Sequence, residues 1–264
     1  MLSSYKAFVN LDHRKDRLVH MQGQLYKAGI EAERVAGLLP HEVDVDPRKT
    51  RVMQNRTPGA IGCMLSQMSV METALEKGKH AFVMEDDLHF CDDFQDRANY
   101  ISEWMDNNDW DVFWLGGTVH HKPTWWHAER HNHELRQCKC NLGRDMEPTN
   151  DKHIIRTYGA FCTYAYVVNV NSIEKVLKQL HDCMHFSIGI DWSFIYLQPN
   201  LKTYMFVPGC VKQIDNLSDI GVNPDGTAGM TKFSGFLKLN GTFENSAYVY
   251  QDRIEDFNVD NWIW

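Results

Sequence analysis

The sequence contains no long apolar run. No stretch approaches the roughly 20 consecutive apolar residues of a membrane-spanning helix. Residues 1–17 already carry charged side chains, before any apolar run of the length found in signal peptides. We therefore expect no transmembrane segment and a cytoplasmic location.

Cysteine and histidine are present, but not in the spacings that define disulfide-rich or zinc-binding domains. The seven cysteines are odd in number and only Cys138 and Cys140 lie close together, which favours free thiols in a reducing compartment. Near them lie five histidines whose spacing fits no standard zinc finger or metalloprotease helix: His120, His121, His127, His131 and His133. We do not expect a zinc site.

Basic charge is also in deficit. The 27 Lys and Arg side chains are outnumbered by 35 Asp and Glu, which gives a net charge of -8 at pH 7. This composition argues against a whole-protein field that attracts nucleic acid or anionic lipid, although a local basic patch remains open. The 264 residues are 43% hydrophobic, enough to bury the core of one large domain, and no repeat or low-complexity tract divides them.

Apolar residues recur with two different periods along the chain. Short apolar runs predict strands over residues 5–11, 32–37, 81–84, 111–117, 158–170 and 203–209. Steps of three and four predict helices over residues 16–29 and 62–79, and a third helix that is capped by Asn171 and Ser172. Strands that alternate with helices predict an α/β fold with a mostly parallel central sheet, in which ligands bind at the carboxyl ends of the strands.

Three adjacent carboxylates, Glu85, Asp86 and Asp87, directly follow the apolar run 81–84. A solvated turn is the simplest interpretation of such a triplet. Buried carboxylates, in contrast, repel one another and need a cation or several hydrogen-bond donors. Oxygen ligands without nearby His or Cys favour Mg²⁺ or Mn²⁺, which keep open positions for phosphate oxygens. Because strand side chains alternate, Glu85 and Asp87 would share one ion and Asp86 would point to the other side.

Four blocks resemble glycosyltransferase family 25 in their order along the chain: FVNLDHRKDRLVHM (8–21), GAIGCMLSQMSVMETAL (59–75), FVMEDDLHF (82–90) and VKQIDNLSDIG (211–221). That family includes bacterial lipooligosaccharide galactosyltransferases and procollagen galactosyltransferases. The resemblance implies a GT-A type fold, a nucleotide-sugar donor, a divalent metal, and transfer with inversion at the anomeric carbon. The acidic triplet resembles the family's form of the metal-binding D-x-D motif. The family usually has Ser-His where this chain has Ser66-Gln67, so an imidazole is missing here.

The resemblance also implies a donor site. Residues that follow the first strand are expected to bind the nucleotide base and ribose: Asn10, Leu11, Asp12, Arg14 and Arg17. The same donor site is expected to include Ser66, Gln67, Glu85 and Asp86. The alternative is that Arg14, Lys15 and Arg17 merely solvate a helix start, although cations there oppose the helix dipole.

The metal site is expected to hold Mn²⁺ or Mg²⁺ on Asp87 and Glu85. We expect Asp87 to be the direct ligand and to be essential for catalysis, because the ion stabilises the charge that grows on the leaving diphosphate. Asp219 belongs to the last matching block and is expected to complete the metal or donor site. The alternative is an ordinary turn aspartate before Gly221.

Asp191 is the candidate general base. An inverting transfer needs a base that takes the proton of the acceptor hydroxyl. Asp191 lies among apolar and aromatic residues in SIGIDWSF (187–194), where burial would make an unpaired charge expensive. The alternative is that Asp191 caps a helix.

The segment 118–144 is positively charged, whereas the whole chain is negatively charged. Its five basic and two acidic side chains give a net charge of +3. We expect residues 118–157 to form an acceptor-side insertion in a single domain of residues 1–264, which ends in an acidic, aromatic tail at 242–264. Its expected acceptor-binding residues are Trp125, Trp126, Lys122 and Arg130. Flat indole faces suit sugar rings or nucleobases. The alternative is a solvated insertion whose Trp pair packs into the core.

These observations predict a metal-dependent, inverting glycosyltransferase. It would move a hexose, galactose or glucose, from a UDP-sugar to a hydroxyl of a saccharide or hydroxylysine, with a hydroxylated nucleic-acid base as a second choice of acceptor. Two alternatives stay open: a non-catalytic sugar-binding protein of the same fold, and a nucleotidyltransferase with a similar carboxylate-metal site. The sequence makes no prediction of the oligomeric state.

Overall fold

The fold is known from a computed structural model, which describes residues 3–39, 42, 58–120, 146–184, 189–214, 216–222, 228–231, 246–248 and 252–254. Within these residues the helices are α1 (Lys15–Lys27), α2 (Pro58–Glu76), α3 (Phe94–Asn107), α4 (Ile173–Met184) and α5 (Ile190–Leu197), with 3₁₀ turns at Val170–Ser172 and Gln198–Asn200. None of these helices is long and apolar enough to cross a membrane.

The strands of the described part fall into one large sheet and three small ones. Those of the central sheet are β1 (Tyr5–Asn10), β2 (Glu33–Ala36), β3 (Ala81–Met84), β5 (Val112–Trp114), β7 (Met146–Pro148), β8 (Ile154–Thr157), β9 (Ala165–Val168) and β10 (Thr203–Phe206). The others form two-stranded sheets: β4 (Leu88–Phe90) with β11 (Val211–Gln213), β6 (Thr118–His120) with β14 (Ser246–Tyr248), and β12 (Asn216–Val222) with β13 (Ala228–Thr231).

The central sheet has the order β2-β1-β3-β9-β5-β10-β8-β7. Only β9 and β8 run against the other strands, because β9 pairs antiparallel with both β3 and β5, and β8 with both β10 and β7. The predicted α/β class and mostly parallel sheet are therefore confirmed, and the arrangement is consistent with a GT-A-like fold. Residues 146–157, which the sequence places in the insertion, supply β7 and β8 of this sheet.

Helices cover both faces of β3, which explains its continuous apolar sequence. Ala81 and Val83 pack in the cluster formed with α2, α4 and α5, whereas Phe82 and Met84 pack in the cluster formed with α1 and α3. All four residues are fully buried. Burying a side chain of the size of Phe82 stabilises the fold by about 1.5–3 kcal/mol. The chain that leaves β3 is therefore held firmly at the carboxyl edge of the sheet.

Several predicted element ends differ from the structure. The strand predicted over 158–170 is limited to β9, since Cys162, which precedes it, has a positive φ of 73° that no regular strand adopts. The predicted cap of α4 is wrong: the side chain of Asn169 accepts the hydrogen bond from Asn171 N, and the Ser172 hydroxyl bonds Asp111 instead. The end of α1 is close to its prediction, where Gly29 adopts the left-handed φ of +64°.

Candidate functional site

The acidic triplet lies in the fold's interior at the carboxyl edge of β3. The side chains of Asp86 and Asp87 are nearly inaccessible, with 6% and 2% exposure of the residues. The backbone is fixed on both sides, because Glu85 N donates to Tyr164 O at 2.8 Å and Ile214 N donates to Asp87 O at 2.9 Å. A solvated turn is therefore excluded.

Asp86 faces α1 and the end of β1. Its Oδ2 accepts a hydrogen bond from Asn10 Nδ2 at 2.7 Å, and its Oδ1 accepts one from Arg17 at 2.8 Å. Asn10 is itself 1% exposed and ends β1. The guanidinium of Arg17 also lies 3.4 Å from Asp87 Oδ2. Asp86 thus ties the acidic triplet to the residues that were expected to bind the donor nucleotide.

Glu85 and Asp87 share one polar partner, the side-chain amide of Gln213 at the end of β11. Gln213 Nε2 lies 3.0 and 3.2 Å from the two carboxylate oxygens of Asp87 and 3.4 Å from Glu85 Oε2. One nitrogen therefore faces three oxygens of two carboxylates. Gln213 was missed in the sequence, although it lies in the last of the four matching blocks.

The other oxygen of Glu85 is held from α2. Gln67 Nε2 donates to Glu85 Oε1 at 3.0 Å, and the hydroxyl of Tyr166 donates to Gln67 Oε1 at 2.8 Å. Gln67 and Tyr166 are both fully buried. The departure from the family's Ser-His therefore places an amide, rather than an imidazole, against the first carboxylate. Tyr166 was also missed, because an aromatic residue in a buried strand gives no functional signal.

The site carries more negative charge than its cations balance. Burial, and then Asp87, Asp191 and Asp86, raise the pKa of Glu85 well above its ordinary value, while Arg17 lowers it only in part. The Cys63 thiol is affected in the same way, since burial and then Glu85 raise its pKa. A positive group between these carboxylates would favour their ionised forms.

Asp191 lies in the first turn of α5 and close enough to Glu85 to raise its pKa. Its Oδ1 accepts two hydrogen bonds from Thr163, from the backbone N at 2.8 Å and from the hydroxyl at 2.9 Å. The helix cap is Gly189, not Asp191. The carboxylate is therefore fixed by the chain just before β9, and Thr163 is a third residue, after Gln213 and Tyr166, that sequence reasoning missed.

Asp219 contacts two residues that follow β1. Its carboxylate pairs with Arg14 and lies 3.0 Å from His13 Nε2. Burial acts to raise the pKa of Asp219, but the hydrogen bonds from His13 and Arg14 outweigh it and lower the pKa. The structure thus brings Asp219 to His13 and Arg14, in the segment after β1 that was expected to bind the donor.

The remaining expected donor residues also have partners. Arg34 contacts both Asn10 Oδ1 and, at 2.5 Å, Asp12 Oδ1. Arg14 pairs with Asp16 at 2.8 Å as well as with Asp219. Leu11 is partly exposed beside them. Arg14 and Arg17 therefore do more than solvate the start of α1, because each bonds an acidic residue from a distant segment.

Ser66 has an evident structural role. Its hydroxyl donates to Gly62 O at 2.6 Å within α2 and accepts from Leu38 N at 2.8 Å. These bonds fix the segment after β2 against α2. The acidic triplet is contacted by the next residue of α2, Gln67.

The expected acceptor residues Trp125, Trp126, Lys122 and Arg130 lie outside the described residues. Most of the His and Cys cluster at 120–140 lies outside them too. Within the described ranges, no three His, Cys, Asp or Glu side chains are grouped closely enough to hold a metal ion on their own. Glu85 and Asp87 both have an oxygen within 3.4 Å of the Gln213 amide nitrogen, and carboxylate and amide oxygens are ligands of the kind that Mg²⁺ and Mn²⁺ prefer.

Comparisons with known proteins identify the family of this chain. A comparison with curated proteins gives no significant match. The family model described as "Glycosyltransferase family 25 (LPS biosynthesis protein)" matches residues 5–192, which is well over half of the 264 residues. The match includes the acidic triplet, Gln67 and Asp191, and ends before Gln213 and Asp219. The chain therefore belongs to glycosyltransferase family 25 and is a glycosyltransferase enzyme.

Proposed function

We propose that this glycosyltransferase moves a hexose, galactose or glucose, from a UDP-sugar to an acceptor hydroxyl, with inversion and with Mn²⁺ or Mg²⁺. The observation that carries the proposal is the pair of carboxylates Glu85 and Asp87, which converge on one amide nitrogen at the carboxyl edge of β3. Paired carboxylates at a strand end of an α/β sheet suit a metal ion with phosphate ligands.

The metal would be held by the carboxylates of Glu85 and Asp87. When bound, it supplies positive charge that stabilises the leaving diphosphate. Asp86 has a different task, because its two oxygens already bond Asn10 and Arg17. It fixes these two donor-side residues relative to the metal ligands. Arg14, held by Asp219, adds a second cation on this side for the anionic donor.

Asp191 would take the proton from the acceptor hydroxyl. Both hydrogen bonds from Thr163 end on Oδ1, so Oδ2 is the oxygen that would receive the proton. Thr163 also fixes the orientation of the carboxylate. A base positioned in this way contributes about 10²–10⁴-fold to the rate.

The acceptor would be bound on the side of the basic segment 118–144. An acidic oligosaccharide is our first choice, and a hydroxylated nucleic-acid base is the second. The net charge of +3 and the Trp125-Trp126 pair support this proposal, because cations and flat aromatic faces bind anionic sugars and bases alike.

A thermal-shift screen of sugar nucleotides with and without Mn²⁺, combined with a UDP-release assay over a saccharide panel, tests the proposal. We expect one UDP-sugar to raise the melting temperature in a Mn²⁺-dependent way, because a ligand stabilises the native state that binds it. Release of UDP should require an acceptor. Failure of every UDP-sugar to bind or react would refute the proposed donor, and release of pyrophosphate would indicate nucleotidyl transfer instead.

A further inference from the structure

The position of Gln213 marks the point where a cation would lie. The strand β11 pairs antiparallel with β4, with Gln213 opposite Leu88, directly after the acidic triplet. This register brings the side-chain nitrogen within 3.4 Å of three carboxylate oxygens. An amide nitrogen has two hydrogens to donate, so three negative oxygens exceed what it can satisfy.

A carboxamide carries a donor and an acceptor on the same carbon atom. Beside carboxylates without a cation, only the NH₂ group can face inward, because the oxygen would be repelled. Beside a divalent cation the preference reverses, since Mg²⁺ and Mn²⁺ are bound by carboxylate and amide oxygens. A half-turn about the last side-chain bond exchanges the two groups without moving the backbone of β11.

We propose that Gln213 is the third protein ligand of the metal, through Oε1, beside Glu85 and Asp87. This inference rests on the metal-dependent function proposed above. It changes the ligand set expected from the sequence, where Asp219 completed the site, because the Asp219 carboxylate is engaged by His13 and Arg14. In the metal-free protein, Gln213 takes the place of the cation and holds the two carboxylates together.

Gln67 provides a matched comparison. It is also a glutamine, and it bonds the same carboxylate, at Glu85 Oε1. Its own oxygen, however, accepts the hydroxyl proton of Tyr166 at 2.8 Å, and the side chain is fully buried. Its amide is locked with the nitrogen toward Glu85, whereas Gln213 is partly exposed at the end of its strand. Gln67 orients a ligand, and Gln213 binds the ion.

The test is the affinity for Mn²⁺ alone, measured from the electron paramagnetic resonance signal of the free ion, without sugar nucleotide. Gln213→Met keeps the side-chain length but removes both the donor and the acceptor. We expect it to weaken Mn²⁺ binding by about tenfold or more, the scale of losing a group that supports a metal site. If Gln213 served only as a competing donor, the same change would tighten Mn²⁺ binding, so the sign of the effect decides.

Gln213→Glu gives an independent measurement. A third carboxylate should lower the melting temperature in EDTA, through repulsion, and should increase the rise in melting temperature that Mn²⁺ causes. Gln67→Met should weaken Mn²⁺ binding less than Gln213→Met does. Unchanged or tighter Mn²⁺ binding by Gln213→Met would overturn this inference but not the proposed metal dependence. So would a smaller rise in melting temperature with Mn²⁺ for Gln213→Glu than for wild type. Absence of Mn²⁺ binding by the wild-type protein overturns both the inference and the proposed metal dependence.

Discussion

Replacing Asp87 by Asn separates the role of this carboxylate in catalysis from its role in the fold. The carboxylate is 2% exposed, lies 3.4 Å from the guanidinium of Arg17, and is repelled by Glu85. At an effective dielectric constant near 20, a pair at that distance attracts by roughly 5 kcal/mol before desolvation. Neutralisation removes this attraction and also the repulsion by Glu85.

The two effects are opposite in sign and of the same order. The oxygens of Asp87 and Glu85 lie 3.0 and 3.4 Å from the same Gln213 nitrogen, which puts their mutual repulsion at roughly 3 kcal/mol or more. The Asn side chain keeps an oxygen that can accept from Gln213. We therefore expect the free energy of unfolding, measured in EDTA, to change by less than about 2 kcal/mol.

The effect of Mn²⁺ should be lost completely. At a Mn²⁺ concentration 100 times its Kd, the wild-type protein gains about 2.7 kcal/mol. For a chain of this size that raises the melting temperature by about 5–10 °C. Asp87→Asn should show no such rise, and its transfer rate, followed as UDP release, should fall by at least about 100-fold.

A matched control is Asp92→Asn. Asp92 is a carboxylate outside the acidic triplet that pairs with Lys27 at 2.8 Å, and both side chains are about half exposed. An exposed pair contributes only about 0–1 kcal/mol, so this variant should keep both activity and the response to Mn²⁺. Transfer by Asp87→Asn within threefold of wild type, roughly 0.6 kcal/mol on the barrier, would refute the metal assignment, as would an unchanged Mn²⁺ response.

Three further predictions follow from the site. Asp191→Asn should keep the affinity for the UDP-sugar and lower turnover by about 100-fold or more; loss of donor binding in calorimetry would mean that Asp191 belongs to the donor site. Burial and the adjacent Asp87 raise the pKa of Glu85 above 4.5, so protonated Glu85 stabilises the fold at low pH and this contribution is lost as the pH rises through the raised pKa. As the pH rises above 4.5, the free energy of unfolding of Glu85→Gln should therefore fall less than that of the wild-type protein, when both are unfolded by urea in EDTA. The same dependence of this free energy on pH in both proteins would contradict the raised pKa. Replacing Trp125 and Trp126 by Ala, and Lys122 and Arg130 by Ser, should raise the acceptor KM with donor binding unchanged, and the KM of a polyanionic acceptor should rise steeply with salt; unaltered acceptor kinetics would remove the segment from the acceptor site.

Local sequence predicted those parts of the fold that depend on local periodicity. The apolar run 81–84 predicts a buried strand, and Gly29 predicts the end of α1, because each depends on a few neighbouring residues. The direction of β9 was not predicted. It follows from pairing between segments far apart in the chain, such as Phe82 with Val167, and a strand of Ala, Tyr and Val fits a parallel or an antiparallel ladder equally well.

The same distinction holds for the site. Sequence alternation already separates Glu85 and Asp87 from Asp86, since the period of a strand is two residues. The partners of these carboxylates were beyond such reasoning. Gln213 lies 126 residues from Asp87, and Thr163 lies 28 residues from Asp191. An amide or a hydroxyl in a sequence carries no sign of which distant carboxylate it will meet.

Three adjacent carboxylates thus receive three different environments from three different elements. Asp86 is satisfied by cationic and amide donors from α1 and the end of β1, so it needs no metal. Glu85 has one oxygen held by a locked amide from α2, and burial, followed by the charges of Asp87, Asp191 and Asp86, raises its pKa. Asp87 and Glu85 both contact Gln213, a side chain that can present either nitrogen or oxygen. Glu85 and Asp87 converge on this one adaptable group, so the cation that we propose would relieve their repulsion by lying between them. Asp86 would connect that point to the end of β1, where we propose that the donor binds.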